Sequence, residues 1–85
     1  MLSIIEHIRE INPEAVLWDG LNDAVIGVDE KHRAVYSVDA IINVLEETND
    51  WSTEDAMEWY GFNISTAYVG EYTPVLVYLK KGPPK

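Results

Sequence analysis

The residues best equipped for chemistry are the carboxylates of WDGLNDAVIGVDE, residues 18–30. They are Asp19, Asp23, Asp29 and Glu30. Carboxylate oxygens are the preferred ligands of Ca²⁺ and Mg²⁺ in proteins, so Asp19 and Asp23 are candidate cation ligands. However, the calcium-loop pattern D-x-[DN]-x-[DN]-G is not matched, because Leu21 and Val25 occupy positions that need oxygen donors.

The same acids also fit turns. In Asp19-Gly20 and Asn22-Asp23, Asx side chains can bond to backbone amides and glycine can take a positive φ. We therefore expect turns at the ends of a strand here, and no metal site.

Catalysis is the second possibility. A general acid–base pair could be drawn from Asp19, Asp23 and Glu71, but such pairs need a pocket and shifted pKa values, which the sequence does not indicate. His7 and His32 are expected at exposed positions, there is no cysteine, and no G-x-S-x-G or phosphate-binding loop is present. The expectation is a protein that is not an enzyme and has no metal or other cofactor.

Charge is the most informative property of the whole chain. The 85 residues contain 15 acidic and 6 basic residues, for a net charge of −9, and no Lys or Arg occurs from Ser37 to Leu79. The acids of that span are Asp39, Glu46, Glu47, Asp50, Glu54, Asp55, Glu58 and Glu71. Such a surface repels phosphate backbones and anionic membranes and attracts a basic partner. Solubility alone explains the charge equally simply and is the commoner reason for it.

Aromatic residues are dense in the same region. They are Trp51, Trp59, Tyr60, Phe62, Tyr68 and Tyr72. Tyr and Trp anchor many protein interfaces, although most of these residues are expected in the core or at its half-buried rim. Stacking on nucleic-acid bases is disfavoured, because no basic groove accompanies the aromatics.

Capping residues and apolar periodicity predict three helices. The first begins at Ser3, forms a capping box with Glu6 and ends before Pro13. The second follows Ser37 as N-cap. Its buried stripe is Val38, Ile41, Ile42 and Leu45.

The third helix is predicted to begin at Ser52, with Asp55 completing a capping box. It should run to about Tyr60 and continue as helical or kinked chain to about Tyr68, because Gly61 weakens the helix.

Four segments are predicted as strands: EAVLW (14–18), the alternating run around Ala24–Val28, RAVYS (33–37) and TPVLVYLKK (73–81). Asp29–His32 forms the hairpin loop, with His32 at its tip. The resulting order α-β-β-β-α-α-β predicts one α+β domain over residues 1–81, in which an antiparallel sheet of three to four strands carries helices on one face. Residues 82–85 are expected to form a flexible tail.

The N-terminus lacks the basic region and cleavage site of a signal peptide, and no apolar run approaches the length of a membrane span. Together with the absence of cysteine, this predicts a cytoplasmic protein that does not bind membranes.

DGLNDAVIG, VYSVDAIINVL and STEDAMEWYGFNISTAYVGEYTPVLV together resemble a family of small, mostly uncharacterised proteins of bacteriophages and prophages. The resemblance covers roughly residues 16–78 and carries no catalytic residues. It implies a product that acts inside a bacterial host cell, where small acidic phage proteins often bind and inhibit a host protein and some imitate DNA.

The leading hypothesis is an interaction protein that uses the acidic helical face of residues 39–58 to bind and modulate a host protein with a basic surface. DNA mimicry is its narrower version, and a self-associating homodimer is the alternative. Glu46 and Glu47 support a use for the acids, because anions are disfavoured in the last turn of a helix. The hypothesised binding residues are Asp39, Glu46, Glu47, Asp50, Glu54, Asp55, Glu58, Trp51 and Trp59.

Overall fold

The computed structural model describes residues 3–79 and has the predicted α+β class. Its elements are α1 (Ile4–Ile11), β1 (Val25–Val28), β2 (Ala34–Ser37), α2 (Val38–Asn49), α3 (Thr53–Asn63) and β3 (Val75–Val77), with a short 3₁₀ turn (Asn22–Ala24) before β1. The predicted domain end at residue 81 and the tail 82–85 lie outside the described residues.

Serine caps begin all three helices as predicted. At α1 the capping box is complete, since the Glu6 N–H donates to Ser3 Oγ at 3.1 Å and the Ser3 N–H donates to Glu6 Oε1 at 3.0 Å. Ser37 Oγ accepts a 3.2 Å bond from the backbone of α2. At Ser52 the hydroxyl accepts from the Asp55 N–H at 3.1 Å, but Asp55 does not return the bond. The shorter Asp side chain provides only half of the expected capping box.

The three strands form a mixed sheet in the order β1-β2-β3, so the prediction of an antiparallel sheet was wrong for one of its two pairings. β1 and β2 are antiparallel, with a bulge between Val25 and Gly27, whereas β2 and β3 are parallel. Parallel neighbours need a long crossover connection, which α2, α3 and residues 64–74 provide here. A three-residue strand has no pattern that reveals its direction.

The predicted strand at residues 14–18 does not form. This segment is irregular, and the Trp18 N–H donates to the Tyr36 hydroxyl at 2.8 Å instead of to a neighbouring strand. Ala15, Leu17 and Trp18 still pack against the core. The apolar residues therefore indicated burial correctly, but the backbone of this segment does not pair with a strand.

α3 continues through Gly61 and ends at Asn63, so the predicted continuation to Tyr68 was wrong. Asn63, the last residue of α3, and Ser65, just beyond it, both bond to the end of the helix. Asn63 Nδ2 donates to the Trp59 carbonyl at 2.9 Å, and Ser65 Oγ donates to the Gly61 carbonyl at 3.1 Å. The turn that follows ends the helix before the chain reaches β3.

The core lies where α1, α2, α3 and the sheet meet. The predicted stripe of α2 is buried, and Ile41 is fully inaccessible to solvent, as are Ile8 of α1 and Tyr36 of β2. The three largest fully buried side chains thus tie one residue from each of three elements into one cluster.

Candidate protein-binding surface

The carboxylates of residues 18–30 do not converge on a site. Asp19, Asp23 and Glu30 are exposed, and within residues 3–79 no three His, Asp or Glu side chains are grouped to hold a metal ion. His7 and His32 lie at the exposed positions that were predicted. Asp19 and Asp23 lie in turns, but among the hydrogen bonds of residues 18–30 that the structure describes, only the Asp29 carboxylate accepts from backbone N–H groups.

Asp29 has a structural role in the hairpin loop. Its Oδ1 accepts bonds from the Lys31 N–H at 3.0 Å and the Arg33 N–H at 2.8 Å, and its Oδ2 accepts from Arg33 Nε at 2.7 Å. Burial raises the pKa of the carboxyl, but the bonds from Arg33 and Lys31 outweigh it and hold the pKa below its usual range.

We expect Asp29→Asn to lower the free energy of unfolding by about 1 kcal/mol at pH 7, because the charge-assisted bonds to Arg33 are lost. Because the pKa of Asp29 is lowered in the folded state, its stabilisation is complete above the unfolded pKa and is lost as the pH falls through the folded pKa. Urea denaturation should therefore show a difference from wild type at pH 7 that shrinks as the pH falls below the ordinary Asp value and through the lower pKa of the folded state. Asp23→Asn is the matched exposed control, and an undiminished difference at low pH would contradict the prediction.

The corner between α2 and α3 brings these two helices side by side. Asp50 takes a left-handed conformation with φ 58°, and the N–H groups of Asp50 and Trp51 both donate to the Glu46 carbonyl. The Thr53 hydroxyl bonds to the Glu46 carboxylate, which ties the end of α2 to the start of α3. One flank of each helix then faces the other across an open groove.

This interhelical groove has a volume of about 670 Å³. Its lining consists of Val38, Asp39, Ile42, Asn43, Glu46, Thr53, Met57, Tyr60, Gly61, Ser65 and Tyr78. The floor is apolar, and burial raises the pKa of Tyr60, with Tyr78 beside it adding to the shift, so Tyr60 is uncharged at neutral pH. Met57 and Tyr78 are mostly exposed at the edge, with 57% and 76% of their surface accessible. The groove thus offers apolar contacts between acidic Asp39 and Glu46.

A second part of the predicted set gathers on the opposite face of α3. Asp55, Glu58 and Trp59 lie, with Trp51 and Phe62, around a shallow pocket of about 490 Å³, which we call the tryptophan pocket. Successive residues of a helix are 100° apart, so positions 55, 58 and 62 point away from positions 53, 57 and 60.

The predicted binding set is therefore divided between two surfaces. Asp39 and Glu46 border the interhelical groove, and Asp55, Glu58 and both tryptophans border the tryptophan pocket. Glu47, Asp50 and Glu54 are exposed and line neither.

Among residues 3–79, the carboxylates of both surfaces take part in no ion pair. In the described part of the chain, the one ion pair joins Asp29 and Arg33 at 2.7 Å, in the hairpin loop. Arg9 belongs to α1, and no Lys or Arg occurs between Ser37 and Leu79. Every charged side chain of residues 38–79 is therefore acidic, which favours cationic partners.

Half of the aromatic group is packed into the fold. Tyr60 is buried and Trp51 and Tyr72 are half-buried, whereas Phe62 and Tyr68 are 77% and 79% exposed. Sequence reasoning missed Met57 and Tyr78 at the edge of the groove. Met57 could have been found from its i, i+4 spacing to Thr53, but Tyr78 comes from beyond β3 and had no local signal.

No family model, curated protein or solved structure matches the chain in comparisons with known proteins. Of the helices in residues 3–79, none combines the length and the apolar character required to cross a membrane.

Proposed function

We propose that this protein is a non-enzymatic interaction protein whose interhelical groove binds a partner protein with a basic surface. The observation that carries the proposal is the combination of an apolar floor with an acidic edge, in a groove of about 670 Å³ whose lining among residues 3–79 contains no basic residue. Apolar contacts provide the affinity of such an interface, and complementary charge sets its association rate and specificity.

The geometry suits a protein ligand better than a small substrate. The groove is open along its length between α2 and α3, and its carboxylates, Asp39 and Glu46, are seven positions apart on α2. Two helical turns separate them by about 10 Å, which is too far for one metal ion but fits two cations on an extended partner surface.

The resemblance to bacteriophage and prophage proteins adds a biological context to the proposal. In that context the partner is a host bacterial protein, whose activity is inhibited or modulated when this protein binds it. A partner that normally binds DNA would favour the narrower hypothesis of DNA mimicry, in which the carboxylates of this protein imitate the phosphates of DNA. Competition between this protein and duplex DNA for one site on the partner tests that version.

The partner is first recovered from a bacterial lysate and purified, and its affinity is then measured with charge-neutral variants. The double variant D39N/E46Q should bind about 5- to 30-fold more weakly, from roughly 0.5–1 kcal/mol for each exposed ion pair. Binding by wild type should also weaken as salt rises.

The matched control is E10Q/E14Q, which changes the net charge equally at exposed positions of α1 and the following turn. It should retain most of the affinity. Equal loss in both double variants would show that only net charge matters, and salt-independent binding to the partner would contradict the proposal outright.

Self-association is the second candidate, favoured by two features of the sheet and surface. β1 and β3 are the edge strands of the three-strand sheet, and Ile26 of β1 is 45% exposed. Open edges are able to pair with another copy of the chain. Sedimentation at two concentrations distinguishes the homodimer from a monomeric binder.

A further inference from the structure

A second site stands apart from the interhelical groove. The rings of Trp51 and Trp59 lie with their centroids 6.2 Å apart and their planes inclined by 47°. Phe62 lies beside them, and the carboxylate residues Asp55 and Glu58 complete the tryptophan pocket. Two inclined indole faces next to two anions form an arrangement that attracts a cation with an apolar surface.

The ring positions are set by the fold before any ligand arrives. Trp51 follows the left-handed residue Asp50 and packs half-buried against the core, so its indole is held at the helix corner. Trp59 lies on α3 with its ring against that of Trp51, and 38% of its surface remains exposed. A site that needs no rearrangement loses little affinity to ordering.

No basic side chain of the described part of the chain pairs with the two carboxylates of this pocket. Within residues 3–79, neither Asp55 nor Glu58 takes part in an ion pair, and the pocket lining contains no basic side chain. The aromatic faces and the carboxylates of Asp55 and Glu58 therefore both attract positive charge.

We propose that the tryptophan pocket binds an alkylammonium group, such as a lysine side chain or a methylated ammonium. The cation would lie against the indole faces of Trp51 and Trp59, with its charge towards Asp55 and Glu58. This site is independent of the groove, because it uses the opposite face of α3.

The test is a titration of the ¹⁵N-labelled full chain, followed through the three Trp indole N–H signals by NMR. Tetramethylammonium chloride replaces sodium chloride at constant ionic strength. The signals of Trp51 and Trp59 should shift saturably with a roughly millimolar Kd, whereas that of Trp18 should stay in place. The neutral probe tert-butanol, similar in size and shape, should bind at least about fivefold more weakly.

Two glutamate variants on one helix provide the matched control. Glu58→Gln should weaken tetramethylammonium binding about threefold, while Glu54→Gln, which removes the same charge outside the pocket, should change it little. Trp59→Leu should abolish the saturable shift of the Trp51 signal. Phe62→Ala removes less of the pocket surface and should weaken tetramethylammonium binding less than Trp59→Leu does.

Equal binding of tert-butanol, or equal effects of the Glu54 and Glu58 variants, would overturn the proposal. n-Butylammonium, which represents a lysine side chain, separates the two sources. If n-butylammonium binds more tightly, the natural ligand of the pocket is a lysine side chain. If tetramethylammonium binds more tightly, the ligand is a methylated ammonium. No partner protein enters this experiment, so its failure leaves the groove proposal unaffected, and D39N/E46Q should bind the probe normally.

Discussion

Replacing Tyr36 by alanine should lower the free energy of unfolding by about 3–5 kcal/mol at 25 °C. Tyr36 is fully buried in the central strand of the sheet, where it pairs with Val25 of β1 and Leu76 of β3. Its ring centroid lies 5.0 Å from that of Trp18. A small domain is stable by only roughly 5–15 kcal/mol, so this cavity removes a large share of the total.

Urea denaturation followed by circular dichroism measures the loss. Tyr68→Ala is the matched control, because it makes the same change at a side chain that is 79% exposed. We expect that control to stay within about 0.5 kcal/mol of wild type. A Tyr36→Ala protein as stable as the control would show that the sheet does not pack around this ring.

Tyr36→Phe isolates the hydroxyl group. It removes the acceptor of the Trp18 N–H and should cost about 1 kcal/mol at pH 7. Burial raises the pKa of Tyr36, an effect that the bond from the Trp18 N–H only partly offsets. With a folded pKa above the unfolded one, the stabilisation is complete below about pH 10 and is lost as the pH rises through the folded pKa. Wild type should therefore lose stability more steeply than Tyr36→Phe above pH 10, and parallel alkaline curves would contradict this.

Replacing Asn12 by alanine should lower the free energy of unfolding by about 2–3 kcal/mol, the second-largest effect that we expect. Asn12 is 8% exposed, and its side chain joins two distant segments. Its Nδ2 donates to the His32 carbonyl at 3.0 Å, and its Oδ1 accepts from the Glu14 N–H at 3.1 Å. Alanine leaves the His32 carbonyl and the Glu14 N–H without these partners.

The effect should also be local, because His32 has a left-handed conformation with φ 64° in the hairpin loop. Loss of the bond to its carbonyl should speed amide hydrogen exchange at the loop residues His32 and Arg33 more than elsewhere. Asn22→Ala, at an exposed position before β1, is the control and should leave both stability and exchange nearly unchanged. Uniform acceleration across the chain would point to global destabilisation alone.

Short-range chemistry explains what could be predicted for the helices and the hairpin. Ser3, Ser37 and Ser52 cap their helices because a hydroxyl near the first free N–H groups has a partner within three residues. The stripe of α2 is buried as its spacing indicated. These interactions join residues that are close together in the sequence, so they can be predicted from the sequence alone.

The candidate surfaces were predicted only in part. The acidic and aromatic composition of residues 39–58 pointed to α2 and α3, but not to the face of each helix that a residue occupies relative to the other helix. That depends on the Asp50 corner, which turns Met57 towards α2 and Phe62 away from it. Tyr78 reaches the groove only because β3 lies beside β2.

The sequence by itself determined the α+β class, the helix starts, the hairpin and the negative charge of α2 and α3. Tertiary structure alone decided the parallel pairing of β3, the irregular path of residues 14–18 and the division of the acids between a groove and a pocket. The physical reason is the range of the interactions. Caps and stripes are set within one or two helical turns. Strand direction, and partners such as the Tyr36 hydroxyl for the Trp18 N–H, depend on which distant segments meet in the folded chain.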